Sequence, residues 1–194
     1  MGIFRRLRKI EQDIDVLTTR QIIMQANQGK NDVLTLKFSN DSPHPDPTYA
    51  KEGDSGFDLR AWIQPNEEGV LCDSNNVYSI VLHPHERRLI HTGIRCELPH
   101  NTEIQVRPRS GNALKFGLSI TNTPGTVDQL YRGEIGVIVL NTSDDIVTIQ
   151  DGDRIAQAVL CPVYNSYCVN FEKIERVDTD TARGEGGYGH TGNK

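Results

Sequence analysis

The sequence predicts an all-β domain, and three observations carry that prediction. From Val33 onward apolar residues alternate with polar ones, as at Leu34, Leu36 and Phe38 or Ile104 and Val106, or gather in short β-branched runs. Turn-forming clusters interrupt the chain at short intervals: Asn40-Asp-Ser-Pro43, Pro65-Asn66, Asp73-Ser-Asn-Asn76, His83-Pro84 and Asp151-Gly152. Helical periodicity is confined to the start. Many short strands without intervening helices mean a sandwich or barrel rather than an alternating α/β fold.

The elements follow in order. In residues 1–30, Ile3, Leu7, Ile10, Ile14 and Leu17 recur at spacings of four and three, a helical stripe with heptad phasing ringed by Arg5, Arg6, Arg8 and Lys9. Such a helix either docks on its own domain or binds a second copy or a protein partner, and an isolated helix of this length is marginal in water. Residues 31–175 form the β domain. Strands are expected over Tyr78–Leu82, Gly136–Leu140, Ile146–Ile149 and Ile155–Leu160, where β-branched residues are dense. Ser110 to Phe116 is the one stretch here that reads as a short helix, with Ser110 as its cap. Residues 176–194 form a glycine-rich tail.

Composition narrows the function. With 21 Lys+Arg against 26 Asp+Glu the formal net charge is −5, which argues against a general nucleic-acid or membrane surface. No stretch reaches the roughly 20 apolar residues of a membrane-spanning helix. Four cysteines, Cys72, Cys96, Cys161 and Cys168, form no Cys-x-x-Cys pair, and no apolar leader precedes the domain. The expectation is reduced thiols in the cytoplasm, or in a host cytoplasm if a phage encodes the chain.

Four segments carry chemistry. Arg107-Pro-Arg-Ser-Gly-Asn-Ala-Leu-Lys-Phe-Gly117 packs Arg109, Ser110 and Gly111 into one connection after a strand, where hydroxyl, free N–H groups and cations can meet an anion. Asn122-Thr-Pro-Gly-Thr-Val-Asp-Gln-Leu-Tyr-Arg-Gly-Glu134 reads as a hairpin whose arms carry Asn122, Asp128 and Tyr131; a carboxylate there suits a general base for water, and an aromatic ring suits a sugar or base. In Gly152-Asp-Arg-Ile-Ala-Gln-Ala-Val159, alternation puts Gln157 with Ile155 and Val159 on the apolar face, so its amide must satisfy backbone or bind ligand. The ending, Arg183-Gly-Glu-Gly-Gly-Tyr-Gly-His-Thr-Gly192, is a backbone that can fold its N–H groups around phosphate oxygens beside a cation. Its Gly184-x-Gly186-x-x-Gly189 spacing is not a dinucleotide fingerprint, because no helix can follow.

Together with Gly53-Asp-Ser-Gly-Phe-Asp-Leu-Arg-Ala61, these segments resemble the five ordered motifs of the trimeric dUTP pyrophosphatases, from about Gly53 to Gly192. The resemblance implies a distorted jelly-roll or β-clip domain, a homotrimer, and three active sites shared between subunits. It implies dUTP as substrate, Mg²⁺ held mainly by the substrate phosphates and water rather than by protein ligands, and dUMP and pyrophosphate as products. Asp128 matches the residue that activates water. Arg109, Ser110, Gly111 and Gln157 match phosphate contacts. Asn122 and Gly125 stand on the segment that receives uracil, and Tyr131 matches the ring that leaves no room for a 2′-hydroxyl. From a third subunit Arg183 would reach the phosphates and Tyr188 would stack on uracil, within a closing stretch of Gly186, Gly187, Gly189 and His190. Asp58 and Arg154 are supporting positions.

Departures from the family pattern are Ser55, His91, Asn112, Tyr188 and His190. The related dCTP deaminases place a catalytic glutamate three residues before the asparagine matched by Asn141. Here that residue is Ile138, an aliphatic group that cannot carry protons. No membrane or nucleic-acid partner is expected, and a protein partner is expected only through the N-terminal helix.

Overall fold

The computed structural model describes residues 33–186; the N-terminal heptad stripe and Gly187, Tyr188, Gly189 and His190 lie outside the described residues. Within them the strands are β1 (Lys37–Asn40), β2 (Phe57–Arg60), β3 (Val70–Cys72), β4 (Tyr78–Leu82), β5 (Arg87–Ile90), β6 (Ile94–Glu97) and β7 (Thr102–Arg107). A single helix, α1 (Ser110–Phe116), precedes β8 (Leu118–Ile120), β9 (Gly125–Val127), β10 (Val137–Asn141), β11 (Val147–Gln150) and β12 (Arg154–Pro162). Pairing is antiparallel throughout, in sheets ordered β1-β6, β5-β10-β8, β11-β4-β3 and β2-β12-β7-β9.

One continuous core joins the sheets. Leu59, Ile80, Leu82, Ile104, Val137 and Val139 are wholly buried on it, supplied by the four strands β2, β4, β7 and β10. The alternation read at Ile104 and Val106 is the buried face of β7, whose residues go in and out along its whole length. Leu34 and Phe38 depart from expectation and are exposed, while Leu36 alone of the three packs on the core. Leu34 precedes β1, and β1 is an edge strand paired with β6 alone, whose Ile94 and Cys96 supply this ribbon's contribution to the core.

Polar groups inside the core are satisfied. Asn141, fully buried, donates through Nδ2 to the carbonyls of Leu82, His83 and Asp145 and accepts from the Ser143 N–H and hydroxyl. It thereby ties β10 to the turns after β4 and β10. Replacing such a partner strands several groups at once.

The four-stranded sheet positions the site. Phe57, Ala158, Val106 and Gly125 lie abreast across β2, β12, β7 and β9. In the neighbouring row Asp58, Gln157 and Arg107 lie abreast. Because side chains alternate faces, the first row is buried and the second is half-buried and polar. Segments separated by up to a hundred positions in sequence thus arrive side by side through strand register alone. The register shifts between Arg154 and Ala156, a bulge that buries Ile155 and Ala156 consecutively.

Gln157 therefore keeps company other than that read from simple alternation. Its cross-strand neighbours are Asp58 and Arg107, not apolar residues, while Ile155, Ala156, Ala158 and Val159 on either side of it are all buried. After Pro162 no strand or helix occurs up to Gly186, and Phe171, Ile174 and Val177 stand exposed.

Candidate active site

Asp58 holds two arginines. Its Oδ1 is 2.8 Å from Arg109 Nε and its Oδ2 is 3.2 Å from Arg154 Nη1. The three come from β2, the connection after β7, and the start of β12. Asn112 of α1 reinforces the join by donating from Nδ2 to the Arg154 carbonyl at 2.8 Å. One carboxylate against two guanidinium groups leaves a formal excess of one positive charge, set in a chain that is negative overall.

Beside this cluster lies a hollow of about 300 Å³, lined by Asp58, Arg109, Ser110, Gly111, Arg154 and Gln157 together with Ala50 and the Asp54–Gly56 turn. Ser110 and Gly111 stand exposed on its rim. Ser110 does not cap the helix as its sequence suggests. Arg109 occupies the cap position in extended conformation without a side-chain cap bond, which makes Ser110 the first helical residue. At the other end Gly117 adopts φ +63 and closes the helix onto the Ala113 carbonyl, a conformation that suits glycine. Gln157 donates from Nε2 to the Pro108 carbonyl at 2.9 Å, which answers half of its amide requirement with backbone. It also borders a second hollow of about 520 Å³ shared with Ser110, Thr123 and Pro124.

The hairpin is wider than the sequence suggests, and its arms do not carry the three residues expected on them. β8 and β10 are its paired arms, while Asn122, Gly125, Asp128 and Tyr131 lie in the connection, where β9 leaves to pair with β7. Asn122, Asp128 and Tyr131 are exposed, and Gly125 is buried opposite Val106. The Tyr131 N–H donates to the Asp128 carbonyl at 3.0 Å, so both side chains rise from one closed turn. The Tyr131 hydroxyl donates to the Glu134 carbonyl at 2.9 Å, folding the ring back over Gly133. A Cβ on Gly133 would collide with that ring.

Glu134 anchors the far end of the connection. Oε1 accepts from the N–H groups of Thr92 (2.9 Å) and Gly93 (2.7 Å), and Oε2 lies 2.9 Å from His91 Nδ1. Burial works to raise its pKa, but the Gly93 N–H, His91 and the Thr92 N–H outweigh it and hold the carboxyl below the usual glutamate range. Sequence pattern alone does not single out Glu134 or Asn112 for these contacts; the Gly-Glu pair ending the hairpin segment is the one local signal for the former.

Asn122, Asp128, Tyr131 and Arg183 line neither hollow. Arg183 instead donates from Nε to the Gly186 carbonyl at 2.9 Å within its own tail. Among the described residues no group of three or more His, Cys, Asp or Glu side chains is arranged to hold a metal ion, and no helix is long and apolar enough to cross a membrane. All four cysteines are free, and burial pushes the Cys96 thiol up to about 11.

This geometry is that of an all-β protein with a polar hollow lined by two arginines and two aspartates, Asp54 and Asp58. The dUTPase family profile matches residues 71–192. The deoxyuridine 5'-triphosphate nucleotidohydrolase of Chlamydia pneumoniae is 46% identical over 142 residues, covering 73% of this chain and 95% of that protein. Its counterpart in Thermoanaerobacter sp. is 43% identical over 161 residues, covering 82% and 97%. A variant dUTPase of Staphylococcus bacteriophage 80alpha, solved with dUpNHpp, superimposes with a TM-score of 0.66 at 22% identity over 81% of this chain and 98% of that one, a likeness of fold. The chain belongs to the dUTPase family and is an enzyme of that family.

Proposed function

We propose that this chain hydrolyses dUTP to dUMP and pyrophosphate as a homotrimer whose active sites are shared between subunits, removing dUTP and supplying dUMP. One observation carries the reading. The Asp58–Arg109–Arg154 cluster furnishes a charged hollow, yet Asp128, Tyr131 and Arg183 of the same protomer do not line it. A site completed by neighbouring copies reconciles the two facts.

In the reaction, Asp128 takes a proton from water as its oxygen bonds to the α-phosphorus. The bond from that phosphorus to the bridging oxygen of the β-phosphate breaks, and pyrophosphate leaves with the electron pair. Arg109, Ser110, Gly111 and Gln157 hold the phosphates, with Arg154 and Asp58 fixing Arg109. Asn122 and Gly125 line the uracil end, and Tyr131 packs on deoxyribose. The tail of a third copy brings Arg183 to the phosphates and Tyr188 onto uracil, with Gly186, Gly187, Gly189 and His190 wrapping the triphosphate and excluding bulk water. Both Asp58 oxygens are engaged by arginine, which fits a Mg²⁺ carried by the triphosphate and water rather than by this carboxylate. That ion supplies charge neutralisation on the phosphates.

The N-terminal helix, a protein partner bound through it and a cytoplasmic location belong to the same proposal. Deleting residues 1–30 should leave a trimer with near-normal turnover; a monomer by light scattering would make that segment essential to assembly.

The test is pyrophosphate release with Mg²⁺ from dUTP, dTTP, dCTP and UTP in parallel. Strong preference for dUTP supports the reading. Ammonia from dCTP, or silence on all four, overturns it.

A further inference from the structure

We propose that Gln129 is a positioning residue that latches the Asp128–Tyr131 turn to the root of the C-terminal arm. The inference rests on Asp128 being the base of the reaction above. Gln129 is the first central residue of that turn, half-buried beneath it. Its Oε1 accepts from the Asn101 N–H at 2.9 Å and from Asn165 Nδ2 at 3.2 Å. Its Nε2 lies 3.2 Å from His100 Nδ1, and its carbonyl accepts from Arg132 Nη1 at 2.9 Å. One amide thus joins three segments of chain separated by 28 and 36 positions.

The arm side of the latch is equally built. The Val163 N–H donates to the Asn101 carbonyl at 2.9 Å. Asn165 accepts the Tyr167 N–H on Oδ1 at 3.0 Å, and its carbonyl receives the Cys168 and Val169 N–H groups at 2.9 and 3.1 Å. The rings of His100 and Tyr167 meet with centroids 5.5 Å apart. The stretch that leads to Arg183 therefore departs from a structured root, and that root holds the amide next to Asp128.

The chemical reason for such a latch lies in the exposure of the turn. Asp128 is exposed and its neighbour Leu130 is 64% exposed, so core packing ends at Val127 of β9 and does not reach the turn itself. Beyond Val127 the turn is held by hydrogen bonds, and Gln129 supplies side-chain bonds from it to other segments. A displacement of about 1 Å in a reacting group lowers rates by up to about a hundredfold. The same latch ties the turn that carries Asp128 to the Asn165–Val169 stretch at the root of the arm.

The experiment measures kcat and KM for dUTP in Gln129→Ala, Asn165→Ala, the double variant and Asp128→Asn. The expected result is a fall in kcat of about tenfold in each single variant with KM within about threefold, since the base is misaimed rather than the phosphates released. The double variant should fall no further than the worse single, because both cut one latch. Near-normal kcat in Gln129→Ala, with Asp128→Asn silent, overturns the inference, as do losses that multiply in the double variant. Normal turnover in Asp128→Asn overturns instead the reading of the base, and the latch with it. Should Gln129→Ala not fold, Gln129→Met keeps the volume without the amide and is read by the same split; should neither fold, Asn165→Ala decides.

Discussion

Asp58 meets Arg109 at 2.8 Å, Oδ1 to Nε, while its other oxygen faces Arg154 at 3.2 Å. The carboxylate keeps two like charges at a fixed spacing. Without it they repel and lose their aim. Asp58→Ala should lower kcat/KM for dUTP about tenfold while reducing stability by only about 1 kcal/mol, as the pairs are partly exposed. Steady-state kinetics beside thermal melting checks this; unchanged kcat/KM would mean the arginines hold their places unaided.

Asp128→Asn should bind dUTP but lose most turnover, about a hundredfold or more, because an amide cannot accept the water's proton. Calorimetric binding and single-turnover hydrolysis separate the two effects. Near-normal turnover removes Asp128 from the role.

Gly133 lies under the Tyr131 ring, which is folded back by its bond to the Glu134 carbonyl. Gly133→Ala should push that ring aside and weaken sugar discrimination, raising UTP turnover relative to dUTP by about tenfold. The kcat/KM ratio for the two nucleotides is the readout, and an unchanged ratio would disconnect this contact from selectivity.

Glu134 introduces an acid sensitivity whose sign is set by its lowered pKa. Its ionised form is bound more tightly in the fold than in the unfolded chain, so the contribution is complete above the unfolded value of about 4.3 and fades as pH falls through the lower folded value. Glu134→Gln should flatten the loss of melting temperature below about pH 4. Glu134→Ala should cost about 1–3 kcal/mol at neutral pH by leaving the Thr92 and Gly93 N–H groups without their acceptor. Thermal melts across pH for both variants give the answer.

Local pattern made much of this legible. β4 coincides with the stretch expected from β-branched density, α1 with the expected helix, and β10 and β11 lie within one residue of expectation. What local pattern lacks is partnership. Arg154 reaches Asp58 across 96 positions, and nothing near either residue announces the other. Ser110 has the chemistry of a cap, yet Arg109 holds the cap position. Gln157 follows alternation only until the bulge at Ile155 shifts the register, and bulges carry no reliable side-chain signature. For Gln129 and Glu134 the informative contacts are to distant turns, partly to backbone N–H groups that any residue type supplies and partly to Asn165, His100 and His91, whose sequence neighbourhoods do not announce the pairing.

The row Asp58, Gln157 and Arg107 has a consequence for how the chain tolerates insertions and deletions. β12 lies between β2 and β7, so losing one residue from its middle would turn the following side chains to the opposite face and dismantle two partnerships together. The Asp73–Asn76 turn links only the neighbouring strands β3 and β4 and carries no such two-sided register. Length variation should therefore accumulate at that turn, while the span from Arg154 to Pro162 behaves as a ruler whose divisions cannot be re-cut.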